Sequence, residues 1–132
     1  TNRLLSNLVM GGKTGILLFI RDSNGPASRD YVVDGNTIGG VTRGLVLRRT
    51  AHVRVRGNTF DGVDEGLVVD STGRDAQVTG NVFLRAQQYF IVAPELTAGS
   101  NYWATATEAE AAARVKGAVV LQPWFPASAA GY

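Results

Sequence analysis

The sequence predicts an all-β repeat fold, a β-solenoid of about four to five coils with a C-terminal capping α-helix, and three observations predict it. Asn7, Asn36, Asn58 and Asn81 recur 29, 22 and 23 residues apart. Eight residues after each stand Gly15, Gly44, Gly66 and Tyr89. Apolar residues keep the same step: Leu4, Val33, Val55 and Val78 lie three before the asparagine, and Val9, Ile38, Phe60 and Phe83 two after it. Ile16, Leu45, Leu67 and Phe90 follow nine after, and Leu18, Leu47, Val69 and Val92 eleven after. Each unit is too short to bury a core alone, so it is stable only when stacked on its neighbours.

Within a unit the order reads strand, asparagine turn, strand, loop, strand, because the nine and eleven positions alternate as one face of a strand does. The chain opens at Thr1, six residues before Asn7, so the first coil is expected to be incomplete at its N-terminal end. Coil one carries seven residues more than a 22-residue repeat, in the stretch RDSNGPASRD at 21–30, which reads as a surface insertion. Asn101 opens a fifth coil with Trp103 two after it, which carries the coil region over residues 1–103. Stacked asparagines are expected to bond one another along the axis and to hold the turn in a left-handed conformation.

Residues 104–132 read as a C-terminal cap. Thr107 with Glu110 forms a capping box, AEAAARVK favours helix, and Gly117 supplies a stop, which predicts a helix over about 107–117. The strand AVVLQ follows, and Trp103, Trp124 and Phe125 are expected to plug the open end of the core. The sharper reading of the tryptophans is a sugar platform.

Coils of the form V-x-G-N-T-F…G-L-V-V, as in Val55–Val69, resemble right-handed parallel β-helix proteins of the pectate-lyase-like superfold. The likeness covers about residues 2 to 103. The ending SNYWATATEAEAAARVKGAVVLQPWF resembles the tail by which many bacterial β-helix repeat proteins close their C-terminal end. The resemblance implies a right-handed helix of coils and a secreted or cell-surface bacterial protein. It also implies a family in which some members act as lyases with a Lys or Arg base beside carboxylate-bound calcium. In that casting Arg48 and Asp70 would take the roles, though no motif in the chain specifies it.

Composition sets the outer limits. A chain of 132 residues, 45% apolar with a net charge of +2, is a folded domain and carries too little positive charge for a nucleic-acid module. The absence of cysteine excludes disulfides and thiolate metal sites, and one histidine cannot build a multi-histidine site, so no cofactor or metal is expected. The longest apolar run, GILLFI, is far short of the roughly 18 residues of a membrane span.

The candidate ligand-binding residues are Arg43, Arg48, Asp64, Glu65 and Asp70, as contacts for an acidic polysaccharide. The register offers a second reading. Arg43 and Glu65 share an offset, as do Arg48 with Asp70 and Arg56 with Asp34, so the arginines are expected to pair with acids in neighbouring coils. Asp61, Asp64 and Glu65 place three carboxylates in five residues but lack calcium-loop spacing, and His52 reads as an exposed strand-start residue. No catalytic residue stands out.

Ten after each asparagine come Leu17, Val46, Val68 and Ile91, an outward apolar stripe about 20 Å long that water disfavours. Its cover is either the C-terminal tail LQPWFPASAAGY folded back, or another molecule, a second copy or the remainder of the parent chain. The functional expectation is therefore a structural or recognition segment, with the C-terminal part of a polysaccharide lyase, hydrolase or epimerase as the alternative.

Overall fold

The computed structural model describes residues 2–5, 7–19, 28–29, 31–48, 50–51, 53–69, 76–105 and 107–130. The chain winds as a parallel β-helix whose coils stack three sheets around one core. The first sheet holds Asn2–Leu5, Tyr31–Asp34, Arg54–Arg56 and Gln77–Thr79. The second runs from Leu8–Met10 through Thr37–Gly39 and the first residues of Thr59–Val69 and Val82–Thr97 to Asn101–Trp103 and Trp124–Pro126. The third stacks Thr14–Phe19, Arg43–Arg48, the later parts of those two long strands and Val115–Val120. The pairings between coils are parallel, which right-handed crossovers join. A small extra pair, Ser28–Arg29 with Thr50–Ala51, lies outside these sheets. Most of the 21–30 insertion falls outside the described residues.

The corner between the first and second sheets sets the coil step. Gly35, Gly57, Gly80 and Ser100 take φ of +69, +64, +68 and +60, so the left-handed residue is the one before each asparagine and not the asparagine itself. The turn is left-handed as expected, and its place has a steric reason: a residue without Cβ, glycine at three of the four, turns at least cost, which frees the asparagine to point inward. There Asn36, Asn58, Asn81 and Asn101 are at most 1% exposed. Each Nδ2 donates to the next Oδ1 at 2.9–3.0 Å from Asn7 through Asn81, and each such Oδ1 also accepts the preceding asparagine's backbone N–H. The second amide hydrogen goes to a carbonyl of the coil before, as from Asn58 to Val33 O at 2.8 Å. At the end of the run Asn101 turns to Val78 O and Ala98 O instead.

Val33, Val55 and Val78, with Ile38, Phe60, Phe83 and Trp103, are fully buried, so the positions flanking each asparagine form the core. Phe60, Phe83 and Trp103 stack face to face with centroids 5.1 and 4.4 Å apart, and Phe90 meets Phe83 and Trp103 edge-on at 5.7 Å. Trp103 is therefore a core residue and no sugar platform. Gly44 and Gly66 stand where coils touch: a Cβ on Gly66 would lie 2.5 Å from Phe90 O.

That contact exposes a slip in the fourth coil. Bulges displace the register so that Glu65 faces Tyr89 and Leu67 faces Ile91, one residue beyond the regular offset. Phe90, and not Tyr89, then continues the column of Gly15, Gly44 and Gly66. A slip of one residue exchanges the faces of a strand, which is why Ile91 is 0% exposed in the core while Val92, expected inside, is half-buried. The expected outward stripe fails in a second place: Val46 is only 2% exposed, shielded within the chain. Val68 is half-buried, and the side chain of Leu17 lies outside the described residues.

The cap differs from expectation too. The helix covers only Glu108–Ala112, with Thr107 accepting from the Glu110 N–H at 3.2 Å, and Arg114 already leads into the strand Val115–Val120. Helix propensity in ARVK yields to parallel pairing of Val115 with Ile91, which buries part of Val115. Gly117 sits inside that strand at φ +112 rather than ending the helix. The tail does not fold back over the third sheet. Trp124–Pro126 pairs with Asn101–Trp103 and Ala127–Ala130 adds a short 3-10 turn, so the tail extends the second sheet and closes the end of the solenoid.

Candidate functional site

The corner between the second and third sheets gathers the charged side chains. Strands Thr59–Val69 and Val82–Thr97 run unbroken through it, which holds their polar residues at fixed spacing along the axis. Arg43 Nε lies 3.6 Å from Glu65 Oε1 in the next coil. Arg85 forms a two-toothed pair with Asp61, through Nε to Oδ1 and through Nη2 to Oδ2. That contact raises the Arg85 pKa above its ordinary value, by hydrogen bonding first and by charge second. A third pair, Arg56 Nε to Asp34 Oδ2 at 3.0 Å, stands on the first sheet away from this corner.

The candidate ligand residues separate into two places. Arg43, Asp64 and Glu65 share the corner, whereas Arg48 ends its strand five residues on, about 17 Å away at 3.3 Å per residue. Asp70 and His52 lie outside the described residues. Of the suspected carboxylate group, Asp61 and Glu65 are held by arginines. Among the described residues no three His, Cys, Asp or Glu side chains come together as a metal site.

The structure adds two residues that sequence reasoning passed over. Arg85 and Arg114 line a cleft of about 480 Å³ between the fourth coil and the cap helix, together with Thr105, Glu110 and the apolar Phe90 and Leu84. Arg114 Nη1 donates to Ala86 O and Gln87 O, both at 3.2 Å, which fixes its guanidinium across the cleft. Counting carried no signal for Arg85: strict offsets align Asp61 with Leu84, and only the bulge brings Arg85 into register.

Charge columns that pair between coils make a rigid polar surface suited to binding, since each guanidinium keeps donors free for a ligand after satisfying its neighbour. Among the described residues no helix is long and apolar enough to cross a membrane. No curated protein matches the chain, and no solved structure does. One family model does: residues 1–117 match the model described as periplasmic copper-binding protein (NosD), and a match over most of a chain already seen to be a β-helix means that this protein belongs to the NosD family.

Proposed function

We propose that this chain is a non-catalytic recognition segment of a periplasmic β-helix protein, and that its polar corner and cap cleft contact an acidic polysaccharide. The observation that carries the reading is the cleft itself: two guanidinium groups, fixed from behind by Asp61 and by the Ala86 and Gln87 carbonyls, flank a space of about 480 Å³. Prearranged arginines suit a carboxylate-bearing ligand, because little side-chain entropy is left to lose on binding. Thr105 at the same cleft donates its hydroxyl to Thr107 O at 3.0 Å, which leaves its oxygen as an acceptor for a ligand hydroxyl.

The alternative, the C-terminal part of a polysaccharide lyase, hydrolase or epimerase, asks for a base that gives up its proton. Arg85 is poorly placed for that, since its Nε and Nη2 are both engaged by the Asp61 carboxylate. Assembly through an apolar stripe loses its support with Val46 and Ile91 buried.

The test is calorimetric titration with uronic-acid oligomers and with neutral oligomers of equal length. Acidic oligomers are expected to bind with a salt-sensitive affinity that Arg114→Gln weakens about tenfold. Equal binding of neutral and acidic oligomers, or an unaffected Arg114→Gln, overturns the recognition reading. Accumulation of unsaturated or reducing ends would turn it toward the enzyme.

A further inference from the structure

The family description speaks of copper, and the donors of this chain do not suit that metal. Cu(I) sites are built from thiolate, thioether and imidazole groups converging on one point, and tetragonal Cu(II) sites from nitrogen donors, imidazole above all, completed by oxygen. The sequence holds no cysteine, one methionine and one histidine, so at most two such ligands exist in all. Met10 is 62% exposed on the strand Leu8–Met10, and its neighbour in register is Gly39, which has no side chain to contribute. His52 lies outside the described residues, and the sequence has no second imidazole to join it.

Neither does the interior offer a cradle. Among the described residues the buried polar side chains are the amides of Asn36, Asn58, Asn81 and Asn101, and each Oδ1 already accepts two hydrogen bonds. Among the described residues the buried polar side-chain atoms without a partner are Trp103 Nε1 and Trp124 Nε1. Both are indole N–H donors with no lone pair to give, so they disfavour a cation. At the surface, Asp34, Asp61 and Glu65 are held in ion pairs with arginines.

We infer that this chain holds no copper ion through its own side chains, and that copper at its surface needs ligands from outside these 132 residues. The inference rests on the donor inventory alone and is independent of the glycan reading, which can fail while this one stands. The test mixes the protein with Cu(I) complexed by a coloured bicinchoninate chelator, with circular dichroism confirming the fold. One equivalent of protein is expected to leave the chelator absorbance unchanged, and a parallel titration with Cu(II) to leave the electron paramagnetic resonance spectrum that of buffer copper. Transfer of one equivalent to the protein overturns the inference. If Met10→Leu or His52→Ala abolishes that transfer the ligand is identified.

Discussion

Asn58 is the sharpest place to test what holds the coils in step. Its amide makes four bonds: Oδ1 accepts from Asn36 N and Asn36 Nδ2, both at 2.9 Å, and Nδ2 donates to Val33 O at 2.8 Å and Asn81 Oδ1 at 3.0 Å. Asn58→Ala removes all four in a site that is 0% exposed. Asn36 Nδ2 keeps Leu4 O and Asn81 Oδ1 keeps the Asn58 N–H, but Asn36 N and Val33 O lose the partners named here. At about 1 to 3 kcal/mol for each buried group left unpaired, and less for the two that retain a partner, the loss is about 3 to 5 kcal/mol. That is a large share of the roughly 5 to 15 kcal/mol that holds a typical domain together. Asn7→Ala is the internal control: Asn7 is exposed and its side chain gives one bond, to Asn36 Oδ1, so it should cost about 1 kcal/mol or less. Urea unfolding followed by far-ultraviolet circular dichroism reads both. Should Asn58→Ala cost no more than Asn7→Ala, the buried amide run would not be what fixes the coil register.

Gly66→Ala places a Cβ 2.5 Å from Phe90 O, a carbonyl fixed in the neighbouring coil, and is expected to destabilise by about 1 to 3 kcal/mol. Thermal unfolding checks it, and an unchanged midpoint would mean that the coils separate more easily than their register suggests. The Asp34–Arg56 pair, with side chains 37% and 52% exposed, should show a coupling of only about 0.2 to 1 kcal/mol in a double-alanine cycle. The coupling should vanish in 1 M salt, roughly a 3 Å screening length, and persistence there would mark a stronger, less hydrated contact.

The fold was legible because its determinants repeat. Val33, Val55 and Val78 are fully buried as their spacing from the asparagines implies, and so are Ile38, Phe60, Phe83 and Trp103. The charged corner was legible only in part. Arg43 with Glu65 and Arg56 with Asp34 keep constant offsets and can be paired by counting. Arg85 with Asp61 cannot, because a bulge adds a residue between them, and the same irregularity hid the burial of Ile91. Counting presumes a uniform coil, and a bulge is invisible to it since no residue type marks where it falls.

The sequence by itself determined the coil: an asparagine at each corner, preceded by glycine at Asn36, Asn58 and Asn81 and by serine at Asn7 and Asn101, and apolar residues at fixed distances from it, force stacking because no single turn can bury its own hydrocarbon. Tertiary structure alone decided the ends and the cleft. Residues 113–116 favour helix locally, yet pairing along Val82–Thr97 draws Val115–Val120 into the third sheet and leaves a helix of five residues. That exchange brings Arg114 against the fourth coil beside Arg85, two residues 29 positions apart that no local pattern connects. Local propensity differs by less than about 1 kcal/mol per residue, so the edge of a finished sheet, with its row of waiting backbone groups, outweighs it.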